Sequence, residues 1–431
     1  VRYWIETLGC PKNRVDSEKL AGLLESQGYV AAPDAGRAEL VVANTCAFIE
    51  AARAESIDTV LDLAERKLDG ARLVVTGCLA ERYGDELALA MPEVDLVAGF
   101  GKSLTASTPV ELRERATSSF DLLNLPRPKT KVPWAYLKIA EGCDRRCGFC
   151  AIPTFRGDQR SRSSEVILAE ARSLVEGGVR EIVLVAQDLA SWGHDRRRAS
   201  GAAALEVLDD GGTQPLIELT RRLADEVERV RLLYLYPSGL TEGLIATILS
   251  TGVPYFDLSL QHASRALLRS MRRWGEGSRF LERIEAIRAT EPDATFRSSF
   301  ILGYPGETEE DQRTLLDFLE AAQLDWAGFF TFSSEAGTYA SDLDEPVAHE
   351  LALERLREAS EVQDAITAIK RDALVGTRQR LLVDSPGVAR SVRECPEIDG
   401  VVLVDRGLSV GSMNECVVVA SRGIDLEAVV A

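Results

Sequence analysis

The chain has 431 residues, 45% of them hydrophobic and 27% charged, a balance that excludes wholesale disorder and collagen-like or mucin-like designs and suggests roughly two to four domains. Its 50 basic and 68 acidic residues leave a formal net charge of -18, which repels the phosphate backbone of free nucleic acid and attracts a basic partner. No apolar run reaches the roughly 18 residues of a membrane helix, and the opening residues Val1 to Glu6 carry no signal-peptide core, so a cytoplasmic protein with no membrane partner is expected.

In chain order, Tyr3 to Thr7, Leu40 to Asn44 and Leu73 to Thr76 read as strands. Ser17 to Gln27 and Ala51 to Lys67 carry helical spacing between them, which makes residues 1–101 a parallel α/β domain. Breaker residues at both ends mark 102–133 as a linker, with room for one short helix. Alternation resumes at Trp134 with strand-like segments at Ala135 to Ile139, Ile182 to Ala186, Leu232 to Tyr236, Phe256 to Leu260, Ala294 to Leu302 and Ala327 to Phe332. Pro215 to Val227, Arg279 to Ala289 and Glu309 to Ala322 read as helices among them. About six such units, spanning 134–375, fit a partial parallel βα barrel, whose chemistry sits at the carboxyl ends of its strands. Residues 193–214 read as an exposed, mobile insertion. A charged helix from about Val347 to Ala373 leads into 376–431, where Gln379 to Val383, Gly400 to Asp405 and Glu415 to Ala420 suggest a small antiparallel β-barrel.

Eight cysteines and three histidines in a reducing compartment point to thiolate-rich metal binding or catalysis before disulfides. Cys143, Cys147 and Cys150 form a C-x3-C-x2-C cluster just past the first barrel strand. Three thiolates can hold a 4Fe-4S cube and leave one iron open to a small molecule, whereas a structural zinc site needs a fourth protein ligand. Zinc with a distant fourth ligand stays as the alternative. A second triplet, Cys10, Cys46 and Cys78, is scattered in sequence, but each member follows a strand of the first domain. Parallel strands end along one edge, so these thiols can converge; the alternative is three separately buried core residues. Cys395 and Cys416 read as core residues of the terminal barrel.

The residues around these cysteines resemble a known family. The Cys143 to Cys150 loop, with Phe149 before its last cysteine, resembles the cluster loop of the radical S-adenosylmethionine superfamily. The order of a three-cysteine α/β domain, a radical barrel and a TRAM-like β-barrel is similar to that of the methylthiotransferases over essentially the whole chain. Leu8 to Glu18 (with Pro11-Lys12-Asn13 after the first cysteine), Asn44 to Ile49 and Ala140 to Gly157 resemble the RimO branch, which modifies an aspartate of ribosomal protein S-twelve. The tRNA-modifying MiaB branch usually carries Gln-Met-Asn after its first cysteine.

The resemblance implies two 4Fe-4S clusters, one on Cys143, Cys147 and Cys150 that binds and cleaves S-adenosylmethionine, and one on Cys10, Cys46 and Cys78 that carries the sulfur to be inserted. A second S-adenosylmethionine would methylate that sulfur. Both sites must then face one cavity, with the first domain's cysteine edge packed over the barrel mouth. It also implies that Phe149, Gln187, Ser259, Gln261, Arg297, Gly303 and Glu307 line the S-adenosylmethionine pocket. An ordinary βα turn is the competing account of Gly303 to Glu307, and packing or pairing that of Arg297. Lys138 would stabilise a carboxylate or a cluster, or simply be salt-bridged. Arg145, Arg146, Arg156, Arg160 and Arg162 flank the loop, where carboxylate binding competes with a solvated face. His262 reads as a hydrogen-bonding residue of the barrel wall.

The expected partners are a basic ribosomal protein, S-twelve, alone or in the small subunit, and an electron donor such as flavodoxin or ferredoxin. Residues 376–431 hold six arginines, no lysine and eight acidic residues, a poor RNA-binding surface, so free tRNA is not expected. A tRNA methylthiotransferase and a non-catalytic iron-sulfur or zinc protein are the alternative functions.

Overall fold

The computed structural model describes residues 1–105, 122–199 and 213–431. The middle of the expected linker and most of the expected insertion lie outside the described residues.

The N-terminal sheet contains β1 (Arg2–Thr7), β2 (Val30–Ala31), β3 (Leu40–Thr45), β4 (Arg72–Gly77) and β5 (Leu96–Val97), in the order β2-β1-β3-β4-β5. Every pairing is parallel. β3 is buried throughout, as a central strand covered on both faces must be. The order reverses between β1 and β3, and ligands of such sheets bind outside the carboxyl ends of the strands flanking that switch. Helices α1 (Pro11–Ser26), α2 (Glu50–Arg66) and α3 (Cys78–Ala90) follow β1, β3 and β4. The apolar pattern placed the first helix at Ser17; it begins six residues earlier because Cys10 occupies the cap position and Pro11, pre-set for helical φ, opens the first turn.

The central region carries six parallel strands in two sheets, β10 (Arg229–Leu232)-β9 (Glu181–Val185)-β6 (Trp134–Lys138) and β11 (Tyr255–Gln261)-β12 (Thr295–Leu302)-β13 (Trp326–Thr331). A single bridge, Leu235 to Leu258, joins them. Among the described residues no ladder closes β6 on β13, so the barrel is partial. The third barrel strand, expected to run to Tyr236, ends at Leu232. Tyr234 stands at φ +60, where the chain leaves the sheet. Between β6 and β9 lie the two-stranded ribbon β7 (Ala140–Glu141) and β8 (Arg160–Ser161) and the short helix α4 (Ile152–Arg156).

The helix His349–Asp372 connects to a closed barrel of β14 (Arg378–Ser385), β15 (Val388–Arg390), β16 (Val402–Leu403), β18 (Asp425–Val430) and β17 (Met413–Arg422). Cys416 lies in its core. Cys395 does not: it packs with Val15, Trp134, Tyr136 and Tyr255, where α1, the partial barrel and the terminal segment meet. Glu181 at the foot of β9 binds Arg231 at 2.8 Å and Arg390 at 2.9 Å, tying the small barrel to the end of the sheet remote from the cysteines.

Candidate functional site

The carboxyl edge of the N-terminal sheet gathers the first triplet. Thr7 pairs with Asn44 and Thr45 with Gly77, so Cys46 and Cys78 emerge from adjacent strand ends beside Cys10. Glycine precedes two of them for steric reasons. At Gly9 a Cβ would meet the Cys46 Cβ at 2.8 Å, and at Gly77 it would meet the Asn44 Oδ1 at 2.4 Å; both have φ +91, open to glycine at no steric cost. Asn13, fully buried, donates to the carbonyls of Leu8 and Thr45 at 3.0 and 3.1 Å and so pins two strand ends.

The three thiols lie in one another's electrostatic field. Burial and the neighbouring Cys10 push Cys46 up to about 12. Burial also raises Cys78, against the pull of Arg156. Burial acts on Cys10 in the same direction, but Lys12, Arg156 and nearby backbone N–H groups together outweigh it and leave that thiol below its ordinary value.

The second triplet follows β7. Gly142, at φ +78 and packed on Asp158, turns the chain, and the Cys143 N–H donates to Gly157 at 3.0 Å. Burial raises Cys143 to about 11 and Cys150 to about 12. Arg273 reaches this loop from the segment after β11: its Nη1 donates to the Cys147 Sγ at 3.2 Å, its Nη2 to the Ser259 carbonyl, and its guanidinium stacks on Tyr236. Nothing in the local sequence Arg272-Arg273-Trp274 distinguishes it from a solvated basic surface.

A buried polar chain joins the two triplets. Arg156, on α4 just past Cys150, donates from Nη2 to the Asn13 Oδ1 at 2.7 Å and to the Cys78 Sγ at 3.1 Å. Its Nη1 binds Glu141 at 2.9 Å and Asp16 at 3.3 Å. Lys138, with no exposure, places its ammonium 2.7 Å from Asp16 and 2.5 Å from Glu141. The cations drive Glu141 far below the ordinary carboxylate range despite its burial. On the other side, Glu335 binds Arg53 of α2 at 2.5 Å and Arg82 of α3 at 2.6 Å. The cysteine edge of the N-terminal sheet therefore lies against the mouth of the partial barrel, clamped at two places.

The remaining candidates divide. Gln187 donates to Glu141 at 2.8 Å, and its buried Oε1 has no protein partner. Ser259 and Gln261, the latter at φ +73, end β11 beside Arg273. Phe149 packs half-buried on the central core. Arg297 is taken up by Asp257 at 2.9 Å and Asp399 at 3.5 Å. Glu307 accepts the N–H groups of Gly303 and Tyr304 at 2.5 and 3.0 Å and pairs with Arg355 at 3.3 Å. A Cβ on Gly303 would strike Ala352 at 2.5 Å, so the space that this glycine leaves is filled by the helix His349–Asp372. Of the flanking arginines, Arg145 pairs with Asp188 at 2.7 Å and Arg162 with Glu170 at 2.6 Å. His262 is buried, and its Nδ1 accepts the Ser264 N–H at 3.0 Å.

Sequence reasoning gave no role to Lys12, Tyr234 or Arg273. Lys12 is half-buried and places its ammonium 3.3 Å from the centre of the Tyr234 ring, in the field of Cys10.

The donor sets fit iron-sulfur clusters. Each is three cysteines, soft ligands with no histidine among them, and each has a guanidinium donating to one sulfur. Among the described residues no group of three His, Cys, Asp or Glu is drawn together tightly enough for one metal ion.

Three families match successive stretches of the chain: the uncharacterized protein family UPF0004 over residues 2–99, the Radical SAM superfamily over 137–319 and the TRAM domain over 375–431. A protein of Moorella thermoacetica named ribosomal protein uS12 methylthiotransferase RimO is 43% identical over 94% of this chain and 93% of its own length. A relative of the same name from Saccharopolyspora erythraea is 40% identical over 99% of this chain and 94% of its own. Among solved structures, the radical S-adenosylmethionine methyltransferase TsrM of Kitasatospora setae aligns with 85% of this chain and 89% of its own, at 14% identity and a TM-score of 0.49.

Proposed function

The chain belongs to the RimO family of radical-SAM methylthiotransferases, and from that premise we propose that it replaces a hydrogen on the β-carbon of an aspartate in ribosomal protein uS12 with a methylthio group. Two 4Fe-4S clusters and two molecules of S-adenosylmethionine take part in this reading. The observation that carries it is the pair of three-thiol sites joined through one buried guanidinium, that of Arg156.

No side-chain base ionises an unactivated C–H bond at neutral pH, so the bound clusters and S-adenosylmethionine supply the radical chemistry and the sulfur. Cys143, Cys147 and Cys150 would hold the cluster that receives S-adenosylmethionine; Cys10, Cys46 and Cys78 would hold the one that carries sulfur. Arg273 and Arg156 each place positive charge on one ligand sulfur, at Cys147 and Cys78, which favours the reduced, more negative state of each site. Gln187, with its unpartnered Oε1, and the backbone ends at Ser259 and Gln261 would line the pocket beside the first cluster. The Glu335 and Asp16 ion pairs hold the two sites together.

The net charge of -18 would steer a basic ribosomal protein inward and discourage free tRNA. An electron donor such as flavodoxin or ferredoxin completes the proposal. The test is mass spectrometry of uS12 and of a peptide spanning its target aspartate after anaerobic incubation with reconstituted protein, S-adenosylmethionine and reductant. A methylthio adduct on that aspartate is expected; an adduct on tRNA alone would overturn the substrate assignment.

A further inference from the structure

The cations around the two cysteine sites are almost all neutralised by the protein. Lys138 and Arg156 share Asp16 and Glu141, Arg145 holds Asp188, and Arg297 holds Asp257 and Asp399. Arg273 is spent on the Cys147 sulfur and the Ser259 carbonyl. Lys12 differs. Among the described residues no carboxylate lies within ion-pair distance of it, and the contact recorded for its ammonium is the face of Tyr234, 3.3 Å away. The carboxylate whose field reaches it, Asp257, is already bound by Arg297 at 2.9 Å and by the Tyr234 N–H at 2.9 Å.

Lys12 is half-buried, as are Cys10 and Tyr234, so all three keep some access to solvent. The three are neighbours: Cys10 caps the helix on which Lys12 stands two residues later, and the Lys12 ammonium lies on the Tyr234 ring. Tyr234 is held at φ +60 by the bond from its N–H to Asp257. Non-glycine residues at such angles cost energy and cluster where a side chain must be aimed. A half-buried ammonium beside a thiol and a ring face, with no carboxylate paired to it, is an arrangement that an anionic ligand relieves.

We propose that Lys12 binds the side-chain carboxylate of the substrate aspartate. This rests on the substrate reading above and deepens it. The carboxyl carbon is bonded directly to the β-carbon that reacts, so a carboxylate on Lys12 holds that carbon one bond away, beside Cys10 and the site that would carry the sulfur. Tyr234 fixes the ammonium from beneath. The same contact makes the site selective: an asparagine has the size and shape of the target but gives the ammonium no charge to pair with, and a buried charge-assisted hydrogen bond discriminates by roughly ten- to hundredfold.

The test uses reconstituted holoprotein under anaerobic conditions and two synthetic peptides that span the target aspartate, one carrying Asp and one Asn there. Binding is measured calorimetrically for the wild type, Lys12→Met, Lys12→Gln and Lys12→Arg, each with its iron content determined, and methylthiolation of the Asp peptide by the wild type is followed in parallel. The wild type should prefer the Asp peptide by roughly ten- to hundredfold, Lys12→Arg should keep a preference, and Lys12→Met and Lys12→Gln should bind the two peptides about equally. A preference that survives in either neutral variant at full iron content overturns the assignment, as does a wild type without preference. If the wild type methylthiolates the Asp peptide while the neutral variants keep their preference, the Lys12 assignment alone fails. If it neither binds nor modifies that peptide, the substrate reading fails and takes the assignment with it.

Discussion

Arg156 and Cys78 come from distant parts of the sequence, yet the Arg156 Nη2 donates to the Cys78 Sγ at 3.1 Å. Arg156 ends the short helix that follows the cluster loop of the barrel, and Cys78 starts the helix that follows β4 of the N-terminal sheet. One side chain thus serves the loop of one cysteine triplet and a thiol of the other. Its second nitrogen, bound to Glu141 and Asp16, turns the contact into a load shared by both domains.

Replacing Arg156 with Met should leave Glu141 and Asp16 sharing Lys138 alone, in a site almost without solvent. Removing one partner of a buried charge network costs about 3–5 kcal/mol. Denaturant unfolding should show a loss of that size, and iron bound at the N-terminal triplet should fall. Lys in place of Arg156 cannot reach both Glu141 and Cys78 and should recover only part of the loss.

Arg273 donates to the Cys147 sulfur at 3.2 Å. Hydrogen bonds and positive charge at ligand sulfurs stabilise the reduced cluster, so Arg273→Met should make the potential of the Cys143, Cys147 and Cys150 cluster more negative. Anaerobic redox titration followed by electron paramagnetic resonance reads this directly. An unchanged potential would mean that the contact only packs the loop.

Gly77 has no room for a side chain: a Cβ would stand 2.4 Å from the Asn44 Oδ1 and 2.5 Å from the Thr45 carbonyl, at φ +91. The strain of that φ and the overpacking together predict a loss of about 2–4 kcal/mol for Gly77→Ala. Because Cys78 is the next residue, iron loading at the first triplet should fall as well, while Gly70→Ala, also at positive φ but in open space, should lower the melting temperature without touching iron content.

Burial lowers His262 to about 4, against about 6.5 in an unfolded chain. Between those values the unfolded chain binds the extra proton and the folded one does not, so this residue's contribution is intact above about pH 6.5 and is lost as the pH falls toward 4. The full loss is about 3 kcal/mol. Asn at this position can still accept the Ser264 N–H through its side-chain oxygen, so His262→Asn should flatten the pH dependence of the melting temperature in that window. A slope unchanged from wild type would assign the acid sensitivity to other groups.

The placement of Cys10, Cys46 and Cys78 at one sheet edge was legible because alternating apolar and helical segments specify a parallel sheet, and a parallel sheet puts every strand's carboxyl end on one side. The partial barrel and the closed terminal barrel were legible from the same periodicity. The network of Asp16, Lys138, Glu141 and Arg156 was not: its links to Asp16 span more than a hundred positions and leave no local pattern, and Lys138, three residues before Glu141, could be read equally as a ligand or a salt-bridged residue. The apolar run through Leu235 hid the end of β10, because what stops the strand is the backbone of Tyr234, turned to φ +60 and bound to Asp257. Gly303 could be read as leaving room for the close approach of a ligand, and on the side where its Cβ would stand the neighbour is Ala352. A glycine tells that something comes near and not what.

The most direct test of two cluster sites acting together is iron per chain, measured after anaerobic reconstitution of the wild type, Cys10→Ala and Cys143→Ala, alongside methylthio transfer to the target peptide. The account predicts about eight irons in the wild type and about four in each variant, with transfer lost in both. About four irons in the wild type, unchanged by Cys10→Ala, would contradict it and leave the triplet of Cys10, Cys46 and Cys78 without a cluster.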